Sequence, residues 1–526
     1  MTNSILEIED APLLLCIGTN MTESHPVIAV RVKRALRKGA RLIVVDPRRT
    51  GLADRAHRFL RLKPGSDAAL FNAMAKAIVD AGLVDRAFVD ARTTGYAELA
   101  AHLERFTPEA MEPVTGVPAA EIRAAALEYA SAPRAGIYYT LGVTEHVGGV
   151  ANVQALANLA LLTGNLGRLS AGINPLRGQN NVQGAGDAGA LPNNYPGYQK
   201  VDDPAARAFF EKAWGVPLDP ERGITKVRAL ERAIAGDIRA MWIVGENTLA
   251  SDADAHHTER ALRALDFLVV QDLFLTDTAR LAHLVLPAAA FAEAEGTFTN
   301  TERRVQRVRK AVDPPGQAQP DWWIIGELGR RLGWPPVRSA SEVFDELASV
   351  APIYAGMSHA RLEERGLQWP CPDASHPGTP FLHEGRFPSG RGVFRCVEPI
   401  PPAELPDAEY PYLLTTGRRL ATYHTNTMTG ACEGFDVLAP HEAAEIHPDD
   451  AGRLGLKTGD WMRVRSRRGE VRVRARVTDR SPAGVVFMSF AFPETPVNVL
   501  TTRAGDPVTE TPELKVAAVA LSREAP

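Results

Sequence analysis

The chain has 526 residues, long enough for roughly three to four domains. Apolar residues make up 45% and charged residues 23%, and 59 Lys plus Arg against 63 Asp plus Glu leave a formal charge of −4. These are globular values that argue against disorder and against a basic nucleic-acid surface. No apolar run is long enough to span a membrane, and residues 1–10 lack the basic-then-apolar order of a secretory signal. Cys16, Cys371, Cys396 and Cys432 are spaced too widely for a CxxC pair and are too few for a disulfide framework, which points to a reducing compartment.

Residues 11–18 (APLLLCIG) read as a buried strand. A polar loop, Thr19-Asn20-Met21-Thr22-Glu23-Ser24-His25-Pro26, leads to a helix over 27–38 that ends at Gly39. Residues 41–45 (RLIVV) form the next strand, with Asp46-Pro47-Arg48-Arg49-Thr50 at its C-terminal end. This is a βαβ unit, and ligands of such sheets sit at the C-terminal ends of the strands, where Asn20, Ser24, Asp46 and Arg48 fall. The turn Lys63-Pro64-Gly65-Ser66-Asp67 precedes a helix, so its N–H groups suit an anion. Residues 66–135 are mostly helical, 135–139 form a strand running into Leu141-Gly142-Val143-Thr144-Glu145, and a helix covers 149–162.

The stretch 174–185 (NPLRGQNNVQGA) is dense in amides and carries one charge, Arg177. Gly, Pro and Asn disfavour both helix and strand there. Composition leaves two readings open: a buried hydrogen-bonded brace, or a surface that holds a small polar ligand. Taken singly, Arg177 is better read as a structural ion pair. Beyond it the first pattern recurs. A strand over 238–245 is followed by Asn247, a helix over 255–265, and a short apolar run into Gln271-Asp272. Gly18-Thr19-Asn20 matches Gly245-Glu246-Asn247, Asp46 and Asp272 follow at similar spacing, and residues 54–60 match 278–284. The repeat suggests two similar nucleotide-binding units; two Rossmann-like domains with one ligand or none stay open. Asp321 opens another helix, and residues 366–410, rich in Pro and Gly, read as a connector. Alternation in 462–466 and 471–477 around Arg468-Gly469 gives a hairpin with Val464, Val471 and Val473 inward. Arg463, Arg465, Arg472, Arg474 and Arg476 face the other way as a solvated stripe. With 412–416, 485–488 and 516–521 the end of the chain reads as a small β-barrel.

These motifs resemble the large subunit of molybdopterin-dependent formate dehydrogenases in the dimethyl sulfoxide reductase superfamily. The resemblance runs through Gly18-Thr19-Asn20, Val45-Asp46-Pro47-Arg48, Leu162-Thr163-Gly164-Asn165-Leu166-Gly167 and the loop 177–185, its most specific part. It continues through Val270-Gln271-Asp272, Glu295-Gly296-Thr297-Phe298-Thr299-Asn300, Tyr423-His424-Thr425 and Pro512-Glu513-Leu514-Lys515. It implies an α/β fold of two Rossmann-like doubly wound domains related as an internal repeat, plus a C-terminal β-barrel. The boundaries expected are 1–178 and 179–385 for the α/β domains and 386–526 for the barrel.

The resemblance also implies bis-molybdopterin guanine dinucleotide around molybdenum or tungsten. Asn20, Ser24, Asp46, Arg48, Gly65 and Ser66 would hold one dinucleotide, and Asn247, Gln271, Asp272 and Asp321 the other. Gly142, Glu145, Arg418, His424, Asn498 and Lys515 would meet the pterins. Formate would be oxidised to carbon dioxide, with Arg177 clamping its carboxylate and Gln179, the second catalytic residue, stabilising a metal ligand or orienting the substrate. Redox partner subunits of iron–sulfur, flavin or hydrogenase type are implied, in the cytoplasm. Two family features lack a counterpart: the N-terminal Cys cluster of a [4Fe–4S] centre, and the Cys or selenocysteine before His that ligates the metal. The expectation is therefore an N-terminally truncated chain without activity alone, those features lying in the missing segment. Another oxidoreductase of the superfamily and a non-catalytic scaffold subunit are the alternatives.

Overall fold

The computed structural model describes residues 1–524. These fall into two compact units, one built from Met1–Leu176, Ala250–His257 and the chain from Phe381 onward, the other from Arg177–Leu249 and Thr258–Pro380. The class expected from the sequence is the one found: α/β with parallel sheets and a terminal closed barrel.

In the first unit, five parallel strands run in the spatial order Arg58–Leu60, Arg41–Val45, Leu13–Ile17, Ala135–Tyr139, Ile173–Pro175. Every residue of Leu13–Ile17 is buried, because both faces of the sheet are covered. Leu13, Leu15 and Ile17 pack with the helices Asp67–Asp80, Ala119–Ser131 and Gly149–Leu162. Leu14 and Cys16 point the opposite way, toward Ile28, Ala29, Val32 and Ala35 of the helix Pro26–Arg37. The period of two within one apolar run thus feeds two cores.

Six strands of the same unit close the barrel, in the order Tyr412–Gly417, Val485–Ser489, Ala443–Ile446, Glu470–Val477, Trp461–Arg465, Ala517–Arg523. Val464, Val471 and Val473 are inside, as the alternation predicts. The outward arginines are not idle charge: Arg472 and Arg474 stack on Trp461, at 4.0 and 3.8 Å from the ring centre. Arg463 pairs with Glu470 and Glu524, both at 3.3 Å.

In the second unit three parallel strands, Ala240–Val244, Phe267–Asp272 and Leu284–Pro287, repeat the connectivity of the first three strands of the chain. The equivalence is visible in single backbone bonds. Gly18 N donates to Val45 O, and Gly245 N to Gln271 O; His57 N donates to Leu42 O, and His283 N to Leu268 O. His57 therefore corresponds to His283. The sequence match of 54–60 with 278–284 is two residues out of step here, since the hydrogen-bond register sets Ala56-His57 against Ala282-His283. One face of this sheet is covered by the cluster around Leu268, Val270 and Ile243. The other is an apolar groove of about 480 Å³, lined by Trp242, Phe267, Val269, Leu284, Leu286 and Trp323.

A second correction concerns 174–185. The stretch is not irregular throughout: Ile173–Pro175 is an edge strand and Val182–Asp187 a helix. Asn181, with φ 61°, starts that helix and accepts the N–H of Thr299 (2.9 Å), so a tertiary contact supplies what the glycines withhold.

Candidate functional site

The strand order of the first sheet reverses between Leu13–Ile17 and Ala135–Tyr139, and crevices open at such a point. Two glycines let the loops that leave these strands touch. A Cβ on Gly142 would lie 2.5 Å from Gly18 O, and one on Gly18, whose φ is +51°, would lie 2.7 Å from Gly142 C. Gly142 N (3.2 Å) and Thr140 Oγ1 (2.7 Å) both donate to Gly18 O. Beside them the hydroxyl of Thr19 is buried and has no hydrogen-bond partner among the described residues. Thr19 belongs to the site although sequence reasoning did not select it. Its signal was its position, a small polar residue directly after a buried strand.

Asn20 lies next along this loop, its Oδ1 accepting Thr22 Oγ1 at 2.9 Å, and Ser24 closes the short helix Met21–Ser24. Asp46, at the end of the second strand, is buried and accepts the N–H of Arg48 at 2.8 Å. Burial pushes its pKa up to about 6. The Arg48 guanidinium turns elsewhere. It pairs with Glu445 of the barrel at 2.7 Å and stacks on Phe487 at 3.3 Å, so it ties the Asp46 loop to the barrel. Gly65 has φ +82°, and a Cβ there would lie 2.4 Å from Pro402 Cγ. Packing against the connector accordingly accounts for that glycine. Ser66 donates to Lys63 O at 2.7 Å and stands at the N-terminus of the 14-residue helix Asp67–Asp80.

Residues far apart in sequence meet around Glu145. Lys515 Nζ reaches its carboxylate at 2.7 Å. Burial lowers the Arg418 pKa, with Glu145 acting in the opposite sense. An Arg418 Nη lies 3.5 Å from His424 Nδ1, and both side chains pack on Phe490. Asn498, 3% exposed, donates to Ala250 O at 2.9 Å. His146 was missed. It is buried, 3.4 Å from Glu513 and 3.1 Å from Gly142 O. Burial opposes its charge, yet Glu513 and Asp67 outweigh burial and raise its pKa. Glu513 also accepts Ala403 N at 2.8 Å, so it fastens the connector.

In the second unit, Gln271 and Asp272 end the middle strand, and Gln271 Nε2 donates to Asp321 Oδ1 at 2.5 Å. Gln271 Oε1 is fully buried and has no partner among the described residues. Burial raises the pKa values of Asp272 and Asp321, and the Asp321 carboxylate adds to the rise at Asp272. Asn247 Oδ1 accepts Thr278 Oγ1 at 2.8 Å, which orders the loop after the first strand of this sheet.

Arg177 and Gln179 are in the same unit, on the loop before the helix Val182–Asp187. Arg177 N donates to Thr301 Oγ1 (3.0 Å) and its Nε to Gln183 Oε1 (3.2 Å). Behind Gln183 stands Asp187, 0% exposed, which the sequence did not single out. Four donors converge on its carboxylate: Gln183 Nε2 (2.8 Å) and Tyr198 OH (2.7 Å) on one oxygen, Tyr354 OH and Trp369 Nε1 (both 2.7 Å) on the other. Gln179 is half-buried in the same loop.

Residues 1–331 match the family model "Molybdopterin oxidoreductase", and 412–518 match "Molydopterin dinucleotide binding domain". The chain belongs to the molybdopterin oxidoreductase family. Among relatives, the F420-dependent formate dehydrogenase subunit alpha of Methanocaldococcus jannaschii is 48% identical over 99% of this chain and 78% of its own length. Formate dehydrogenase H of Escherichia coli is 42% identical over 99% and 74%. The acetylene hydratase of Pelobacter acetylenicus shares the fold, with a TM-score of 0.78 at 21% identity over 99% of this chain and 81% of that one. The residues present fit a molybdopterin dinucleotide. Asp46, Asp272 and Asp321 are desolvated acceptors, suited to donor edges such as a guanine's N1–H and amino group or ribose hydroxyls. Thr19 Oγ1 and Gln271 Oε1 are buried polar atoms that such a ligand would satisfy. No helix of the described residues is long and apolar enough to cross a membrane.

Proposed function

We propose that this molybdopterin oxidoreductase oxidises formate to carbon dioxide and passes two electrons to redox partner subunits of iron–sulfur, flavin or hydrogenase type. Two dinucleotides and either molybdenum or tungsten belong to the reading. Asn20, Ser24, Asp46, Arg48, Gly65 and Ser66 would serve one dinucleotide, with Arg48 acting through the loop it anchors. Asn247, Gln271, Asp272 and Asp321 would serve the other, and Gly142, Glu145, Arg418, His424, Asn498 and Lys515 the pterins. The internal repeat, with the equivalent carboxylates Asp46 and Asp272, supports one dinucleotide per unit. The three-part division 1–178, 179–385 and 386–526 is kept as part of the proposal. Four unbridged cysteines, two of them exposed, suit the cytoplasm.

When bound, the cofactor supplies the two-electron acceptor. The chain's own part is to bind and orient formate, a small anion with one C–H bond to break. Arg177 would hold its carboxylate by the guanidinium fork, and Gln179 would fix the orientation. The observation that carries the reading is the Arg177 fork, held by Nε in the loop that most resembles formate dehydrogenases. A point charge cannot replace a planar fork. Arg177→Lys in the cofactor-loaded enzyme, assayed with the Cys or selenocysteine metal ligand in place, is therefore expected to raise the KM for formate at least about tenfold in a dye-reduction assay. An unchanged KM removes Arg177 from the clamp. Turnover of nitrate, arsenite or a sulfoxide in preference to formate overturns the substrate, and purified protein without metal and pterin overturns the enzyme.

A further inference from the structure

The relay behind Arg177 has a fixed hydrogen-bond polarity. Asp187 offers only acceptors when ionised, and the four groups that converge on it are donors. Burial and the neighbouring carboxylate raise the pKa values of Tyr198 and Tyr354, so both remain O–H donors. Trp369 has no other option, since an indole N–H only donates. Gln183 must then turn its NH2 group toward Asp187 and Tyr198, which leaves its carbonyl oxygen for Arg177 Nε. A hydrogen bond to Nε fixes the plane of the guanidinium.

We propose that Asp187 and Gln183 are positioning residues that aim the Arg177 guanidinium at the substrate carboxylate, Asp187 by dictating which end of the Gln183 amide faces Arg177. The proposal rests on the reading of Arg177 as the formate clamp. Neither residue touches formate. A wrong amide orientation would set an N–H against the N–H of Arg177 and release the fork.

The test is a polarity swap in the cofactor-loaded enzyme. In Asp187→Asn the new amide nitrogen cannot face Trp369, a pure donor, so it faces Gln183 and turns that amide over. The KM for formate should rise about tenfold with kcat within about threefold. Adding Gln183→Glu restores an acceptor to Arg177 and gives the amide introduced at position 187 something to donate to. The double variant Asp187→Asn/Gln183→Glu should therefore recover most of the KM. A crystal structure of the single variant should show the Arg177 guanidinium rotated, and one of the double variant should show it returned. Gln183→Met, which keeps length but not the acceptor, covers the case in which Asp187→Asn does not fold, and it should raise KM alike. Normal KM in Gln183→Met, or no recovery in a folded double variant, overturns the relay. If Arg177→Lys also leaves KM unchanged, the clamp reading fails instead, and the two failures are thereby separated.

Discussion

Asp46 shows what burial does to one carboxylate. Its folded pKa of about 6 lies above the ordinary 3.8, so the folded protein binds more protons than the unfolded chain between those values. The group's contribution to stability is full below pH 3.8 and is lost as pH rises through 6. In cofactor-free protein, Asp46→Asn should match the parent's unfolding free energy near pH 4 and exceed it by roughly 2–3 kcal/mol at pH 7. Thermal and urea unfolding at both pH values measure this. The same variant should retain less cofactor, because one of the two acceptor oxygens becomes an NH2 donor. Arg48 is the converse case, a buried charge with its partner in place. Glu445→Gln leaves that guanidinium uncompensated and should cost about 3 kcal/mol, read as a lowered Tm. Asp187 shows why some site residues escape sequence reading. An Asp after a glycine-rich run looks solvated, and its partners Tyr198, Tyr354 and Trp369 lie 11, 167 and 182 residues away.

Among elements, the paired loops after Leu13–Ile17 and Ala135–Tyr139 depend on two glycines facing each other. Gly142→Ala has only backbone to push against, at 2.5 Å, and should destabilise by about 1–3 kcal/mol, detectable as a Tm shift together with loss of bound cofactor. Element type was legible wherever the apolar pattern was strong. The helix over 149–162 and the hairpin of 462–466 with 471–477 appear within a residue of where periodicity put them. Ala443–Ile446 was not legible, because AAEI carries no alternation and hides a buried glutamate. It is a barrel strand because Arg48 and Arg419 neutralise Glu445 at 2.7 and 3.7 Å. The helix Val182–Asp187 escaped for a like reason, its stability coming from Thr299 and the Asp187 hub rather than from its own residues.

At the scale of the molecule, the first unit is assembled from both ends of the chain. Phe394 and Val397 belong to the core of the parallel sheet, Asn72 donates to Val397 O and Asn158 to Arg395 O, each at 2.8 Å. A fragment of residues 1–176 would expose these surfaces and is expected to be insoluble alone. Co-expression with residues 381–526 should recover soluble material that co-purifies, and a soluble, cooperatively melting 1–176 fragment is the opposing result. Sequence by itself determined the α/β class, the internal repeat, the terminal barrel and the family, since these rest on local periodicity, spacing and short motifs. Only the tertiary structure decided that Arg48 answers to Glu445, that Gly65 packs on Pro402, and that Asp187 stands behind Arg177. Most of those pairings join residues hundreds of positions apart, and no local pattern encodes a long-range hydrogen bond.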